Sequence, residues 1–352
     1  MTSQFRYALI LCDIGQSIQE VYVEKLVDEK GLIQWGIYSD PVERVNYEDY
    51  RLETPMGLKI PAGLKKFLAN QFHFIGVIGP DMIIGIGVVD LKYLSNAFFY
   101  VFDRKTGTIT ESKKLVPLSS SILIDPCPEK PRSVFKGKGL TIEITGDSIK
   151  ATGKGVVLDI AMDSSAARPL RICTRAGYRG WVYTQKTSPL NIKGSLTAKG
   201  IKKDISSPDY MALSDWTCGF MRRETCWNWA ASAFTMGDGR SLGMNLSCGV
   251  NETSFTENVF WINGHMNKVD TVNFIFDKDS LDSPWHIKSA DKKVDLVFKP
   301  EASRGENINA LLIKSRFTQL FGVFEGKLLT KAGEVIAIND CPGFAEDHFA
   351  RW

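Results

Sequence analysis

The sequence predicts an all-β protein, a sandwich or barrel of antiparallel strands with few short helices. Three observations carry that expectation. Apolar and polar residues alternate with a period of two in the clearest segments, as in half-buried strands. Turn residues recur between those segments. Helical periodicity is scarce.

Taken in chain order, the apolar run at residues 7–12 is shorter than a signal-peptide core and is followed at once by Asp13. Residues 17–30 read as a strand or an irregular segment, closed by a turn at Lys30-Gly31. "PAGLKKFLANQF" (61–72) sets Leu64, Phe67 and Leu68 at helical spacing behind Pro61, which suits a first helical turn. "LTIEITG" puts Leu140, Ile142 and Ile144 on one face of a strand and Thr141, Glu143 and Thr145 on the other. "VDLVF" repeats the pattern with Val294, Leu296 and Phe298. Asn263-Gly264 is the strongest hairpin signal, because both residues tolerate the positive φ of a type I′ turn. "DRKTG" (103–107), "TGDS" (145–148), "MGDGR" (236–240) and "TKAGE" (330–334) read as further hairpin tips. "DPCPEKPRS" (125–133) is either a linker or a rigid loop, and the similar strands on both sides favour the loop.

The bulk numbers narrow the function. A chain of 352 residues with 44% hydrophobic and 24% charged residues can bury a large core, in two or three domains or one elaborated one. A net charge of +3, with clusters no denser than Lys202-Lys203 and Lys292-Lys293, gives no electrostatic footprint for nucleic acid. No run approaches the roughly 20 apolar residues of a spanning helix. The seven cysteines show no C-x-x-C and no zinc spacing, which fits free thiols in a reducing cytoplasm. The four histidines do not fall at metal-ligand spacing. "GIGVVD" (85–90) lacks a third glycine and a following helix, so it reads as glycines in a tight strand rather than a dinucleotide site. Neither a metal nor a cofactor is expected.

The richest stretch is "LSDWTCGFMRRETCWNWAASAF" (213–234). It reads as a turn region leading into a strand from about Arg222. Parity then sets Arg222, Glu224, Cys226 and Asn228 on one face, and Arg223, Thr225, Trp227 and Trp229 on the other. If the strand lines a barrel, one face looks into a cavity. A carboxylate desolvated there could serve as a general acid, with Asp215 and Glu224 as candidates and Arg222 tuning them. The plainer reading is an Arg222–Glu224 ion pair beside tryptophans that fill core. Two further clusters are "TENVFWINGH", with Glu257 and His265, and the closing "GFAEDHFARW", with Glu346 and His348. Phe349 and Trp352 suggest that this end packs down rather than fraying.

"DWTCGFMRRETCWNWA", "TENVFWINGH", "SPWHIKS", "VDLVFKP", "FTQLFGVFEGKL" and "GFAEDHFARW", in that order, resemble the bacterial family called Domain of Unknown Function 2804. The early "GLIQWGIYSDPVERVNYEDYRL" extends the resemblance over nearly the whole chain. In that family an Arg commonly precedes the glycine after the Asp–Trp pair. Here the position is Cys218, which puts the family's activity in question and leaves Arg222 or Arg223 as substitutes. The Asp, the Arg/Glu pair, W-x-W and "GDGR" also resemble, more distantly, the AttH-like and carotenoid-hydratase proteins. That resemblance implies two lipocalin-like β-barrels. Some of those relatives hydrate or cyclise isoprenoid and polyketide double bonds with acidic residues in an apolar cavity.

The resulting expectation is an N-terminal segment (1–60) packed on a first barrel (61–250), then a second barrel (251–352). The protein would be cytoplasmic and would bind a hydrophobic small molecule or lipid in a barrel cavity. Trp216, Trp227, Asn228, Trp229, Asn245, Glu257, His265, Glu346 and His348 are the ligand-binding candidates. The alternative is an acid–base hydratase, isomerase or cyclase using Asp215, Glu224 and Arg222. A third reading, a structural protein in which Glu346 and His348 only clasp the C-terminus, stands behind these.

Overall fold

Period-two alternation gives strands such as Leu140–Ile144 one apolar face, and most strands bury such faces by curling into two large antiparallel sheets, with a small parallel pair, Val23–Lys25 and Val42–Arg44, beside them. The computed structural model describes residues 23–250, 255–310 and 313–351. The apolar run at 7–12, residues 17–22 of the ambiguous segment and the expected packing of Trp352 lie outside these. Among the described residues the first sheet has 14 strands and the second has nine.

One half of the first sheet runs Thr108–Pro117, Leu94–Asp103, Met82–Asp90, Asn70–Ile78, Met211–Phe220, Gly180–Ala198. The other half continues through Val156–Asp163 to Ile122–Ile124. The two halves meet in one core, where Ile84 and Ile86 lie with Ile142, Ile149 and Leu158. Leu140, Ile142 and Ile144 all point inward, as their alternation predicts. Leu26, Val27, Val42, Val45 and Leu52 from the N-terminal part bury in this core too. The second sheet centres on Glu224–Thr235, Val335–Arg351, Ile313–Leu329 and Val294–Ala310, paired in that order. Val294, Leu296 and Phe298 face its core with Leu320, Phe324 and Leu328. The fold is all-β, with two lipocalin-like curled sheets.

The outer faces of the two sheets pack on each other. Ile78, Ile83, Tyr100, Phe102 and Leu213 from the first meet Ala231, Ala233, Phe321 and Phe344 from the second. The Phe102 and Phe321 rings stack with centroids 4.7 Å apart.

Several expectations meet the structure here. Asn263 and Gly264 take φ of 49° and 75° between two paired strands, the I′ hairpin that the sequence predicts. The 125–133 stretch is a loop within the first sheet, where Glu129 binds Arg171 through two hydrogen bonds of 2.6 and 2.8 Å. The expected helix at 61–72 shrinks to Ala62–Lys65 and a 3-10 turn, Lys66–Leu68, before the chain enters Asn70–Ile78. Leu64, Phe67 and Leu68 remain exposed, so no buried face extends the helix. Residues 213–220, expected as a turn region, are strand (Met211–Phe220), held between Gly180–Ala198 and Asn70–Ile78. The change of sheet falls at 221–223, whereas position 250 separates two strands of the second sheet.

The glycines of "GIGVVD" make room for rings. Gly85 and Gly87 pair with Tyr100 and Phe98 on the next strand. A Cβ at Gly85 would lie 2.1 Å from the Tyr100 ring. Gly85→Ala should therefore cost about 1–3 kcal/mol by overpacking. Urea unfolding measures this, and an unchanged midpoint would show that the ring moves aside freely.

Candidate functional site

Register builds the site, because residues directly opposite on paired strands share a face. On the outer face of the second sheet, Trp229, Glu346, Gln319 and Arg304 form one cross-strand row. Trp227, His348, Phe317 and Glu306 form the next. On the outer face of the first sheet, Asp215 stands between Lys186 and Phe74, and Thr217 between Thr184 and Phe72. The two faces part around a cavity of about 240 Å³. Phe72, Phe74, Phe98, Trp227, Trp229 and Phe317 line it together with aliphatic side chains such as Val89, Leu115 and Ile308, and its polar points include Lys113, Lys186, Asp215, Glu257, Arg304, Glu306, Glu346 and His348. The cavity lies between the barrels, not inside one as expected, because the barrel interiors are filled by side chains such as Phe135, Trp181, Tyr183 and Trp216.

Lys186 sits only 6% exposed, 2.5 Å from Asp215 and 3.6 Å from Glu257. Burial alone would lower its ammonium; the two carboxylates more than offset that and raise it. Its charge also lies 5.5 Å from the Trp229 ring centre. Asp215 Oδ1 accepts from the Thr217 and Thr184 hydroxyls at 3.1 and 3.4 Å.

Across the cavity, burial pushes the Glu346 carboxyl up to about 7, and the Asp215 charge adds to the rise. The Trp227 indole, the Arg304 charge and Gln319 pull the other way. Gln319 Nε2 donates to Oε1 at 2.7 Å, and Trp227 Nε1 reaches Oε2 at 3.4 Å. Arg304 donates to Gln319 Oε1 at 3.2 Å and pairs with Glu111. Its guanidinium lies 4.5 Å from the Tyr100 ring centre and 5.0 Å from that of Phe98. His348 is held down to about 3 by burial and by the nearby Lys113 charge, so it stays neutral. Its Nε2 meets Ser315 Oγ at 3.0 Å, and its Nδ1 has no partner among the described residues. The Trp227 ring centre is 4.1 Å from its own.

The structure thus brings together Asp215, Trp227, Trp229, Glu257, Glu346 and His348. The indole face of the 224–235 strand, not the Arg–Glu–Asn face, meets the cavity. Glu224 lies outside it: its side chain is 60% exposed and pairs with Arg351 at 3.5 Å, so it is not desolvated. Arg222 neither pairs with Glu224 nor tunes Asp215, since its guanidinium donates to the carbonyls of Gly249 and Val250 at 2.8 and 3.4 Å. Asn228 projects from the opposite parity and donates to Glu346 O and Asp347 Oδ1. Asn245 stands behind the wall, accepting from Trp229 Nε1 at 2.8 Å. His265 is exposed at its hairpin. Trp216 and Cys218 face the first barrel's core, opposite in parity to Asp215, so the Cys218 departure does not touch the cavity. Burial pushes the Cys218 thiol well above its ordinary range.

Sequence reading missed Lys186, Gln319 and Arg304. Gln319 has a signal, a long polar side chain among the apolar residues of "FTQLFGV", whereas Lys186 and Arg304 lie in polar stretches, "YTQKTS" and "EASRGEN", that give none. His73 was missed too. It borders the cavity, but its Nδ1 is bonded to Ser133 Oγ at 2.8 Å, and burial lowers it to about 4.

Fold and site define a class: an all-β protein of two curled half-barrel sheets with an apolar cavity, carrying opposed carboxyls, between them. The family described as Domain of unknown function (DUF2804) matches residues 17–352, and the chain belongs to it. Among solved structures it is similar to CghA with Sch210972, at 9% identity over 93% of this chain and 96% of that one, with a TM-score of 0.55. It is also similar to an AttH-like protein of Nitrosomonas europaea (11% identity, 80% and 92% covered, TM-score 0.47). Kievitone hydratase from Nectria haematococca is a further likeness (11%, 80% and 88%, TM-score 0.45). At these identities the likeness is one of fold. No curated protein matches the chain.

Two stability measurements test the electrostatics. Lys186→Met leaves Asp215 and Glu257 without their shared cation and should cost about 3–5 kcal/mol. A neutral result in urea unfolding would mean the ammonium is not essential there. Glu346 has an ordinary value of 4.5 and a folded value of about 7. Its protonated form therefore favours the fold fully below the first and loses that contribution as pH rises through the second. Wild type should lose about 3 kcal/mol relative to Glu346→Gln across that window. A constant difference between the two proteins would refute the desolvated carboxyl.

Proposed function

We propose that the protein binds a hydrophobic small molecule in the cavity between its barrels. The observation that carries this is an aromatic wall enclosing a few convergent polar groups, the usual make-up of a small-molecule site. At about 240 Å³ the cavity is small for such sites, which commonly span about 300–1,000 Å³, and this favours a compact ligand over a long acyl chain. CghA, which shares the fold, is solved with Sch210972, and that supports a small-molecule ligand.

One observation favours a second reading, acid–base catalysis by a hydratase, isomerase or cyclase. Asp215 and Glu346 stand on opposite walls in different surroundings. Glu346, near neutrality, suits a general acid, and Asp215, ion-paired to Lys186, suits the base. Trp227 and Trp229 would steady positive charge developing between them. Isoprenoid-like and polyketide-like double bonds are the substrates that this chemistry fits.

Native mass spectrometry of freshly purified protein should show a bound small molecule. Val89→Trp, which fills the cavity from the first sheet, should lose it. Bare protein that also takes up no apolar compound on incubation would sink the binding reading. On a substrate that turns over, Glu346→Gln should lower kcat about 10²–10⁴-fold with KM little changed; an unchanged kcat would remove Glu346 from catalysis.

A further inference from the structure

The polarity of the hydrogen bonds around Glu346 says what kind of ligand the cavity selects. A guanidinium can only donate, so the bond from Arg304 makes the Gln319 carbonyl oxygen the acceptor. The Gln319 amide is thereby turned so that its NH₂ group points at Glu346 Oε1, 2.7 Å away. An indole N–H also only donates, and the Trp227 contact to Oε2 is long at 3.4 Å. Both side-chain partners of the Glu346 carboxyl therefore donate, and neither can accept a proton from it. Oε2 has the weaker donor, so protonation there sacrifices least. A protonated Oε2 is a buried O–H that needs an acceptor, and the carboxyl borders the cavity.

The charges facing this carboxyl constrain the acceptor. Arg304 is committed to Glu111, Lys186 to Asp215 and Glu257, and Lys113 to Glu306. Asp215 faces Glu346 from the first sheet, the Tyr100 phenol lies near, and His348 beside it on its own strand is neutral. An anionic head group at Glu346 would meet the Asp215 charge and cations that are already paired. Lys314, another lining cation, sits level with Arg351, five residues along its strand from Gln319 and so roughly 16 Å from the carboxyl row.

Resting on the binding reading above, we infer that Glu346 offers its acid proton to the cavity through Oε2, and that the ligand is a neutral apolar molecule with a carbonyl-type oxygen to accept it. Arg304 and Gln319 are the positioning residues that fix this polarity. The selected class is the ketone or enone, in preference to the carboxylate or the plain hydrocarbon.

Three probes of similar size test this by calorimetry on the full chain: benzylideneacetone (an enone), 1-phenyl-1-butene (its hydrocarbon counterpart) and cinnamate (an anion). Wild type should bind the enone best at about pH 6. It should lose about tenfold or more by about pH 8.5, as Glu346 ionises. The hydrocarbon should bind more weakly, with no such trend. Glu346→Gln keeps an amide donor at every pH, so it should retain the enone preference with a flat profile. Glu346→Leu should bind enone and hydrocarbon alike. Cinnamate binding above the enone, an enone pH trend surviving in Glu346→Gln, or the same trend with the hydrocarbon overturns the inference. Hydrocarbon binding without any enone advantage overturns it while the cavity reading stands. Failure of all three probes at every pH overturns both.

Discussion

The buried ammonium of Lys186 is the interaction on which the interface between the barrels depends. It reaches Asp215 in its own sheet, Glu257 in the segment leading into a second-sheet strand, and the face of Trp229 in the tryptophan strand. Removing an ammonium from water costs several kcal/mol, and two carboxylates and an indole face offset that cost only while both barrels stay in register. The apolar contacts around it, Phe102 on Phe321 and Phe74 against Trp229 and Phe344, are non-directional and could slide. The ion cluster is directional, because sliding the sheets would take the Lys186 ammonium away from Glu257 and Trp229 and leave buried charge uncompensated.

A second line of charge closes the far side. Arg104 with Glu301, Arg304 with Glu111 and Lys113 with Glu306 join the hairpin tip after Asp103, or Thr108–Pro117, to Val294–Ala310. Between these two seams the sheets diverge enough to leave a cavity. The glycines at 85 and 87 matter for the same reason. They let Tyr100 and Phe98 lie flat over the neighbouring strand, which holds the first wall smooth and places both rings under the Arg304 guanidinium.

Much of this was legible from local pattern. Alternation gave the strands, Asn263-Gly264 the hairpin, and parity the separate indole face of the tryptophan strand, because these depend on neighbours in sequence. What parity could not supply was the partner of each face. Arg304 and Glu111 are 193 positions apart, and Trp227 and Glu346 are 119 apart. Reading 213–220 as a turn also hid a simple consequence: Asp215 and Trp216, being adjacent in a strand, must face opposite sides. Trp216, expected at the cavity, lies in the first core for that reason. Glu224 misled for a different reason. It shares a strand with the cavity tryptophans but has the wrong parity and sits at the exposed end, where water and Arg351 already satisfy it.

The two cavity carboxyls show how the interface divides labour between sheets. Asp215 stands on the sheet that also supplies the cation, so it has Lys186 directly opposite on the adjoining strand. Glu346 stands on the sheet whose nearest cation, Arg304, is two strands away and spent on Glu111, with Gln319 interposed. One carboxyl therefore has a cation in direct contact, while the other touches only neutral donors and feels the Arg304 charge at one remove. Because each comes from a different barrel, the gap between them is set by how the barrels dock and not by any single strand.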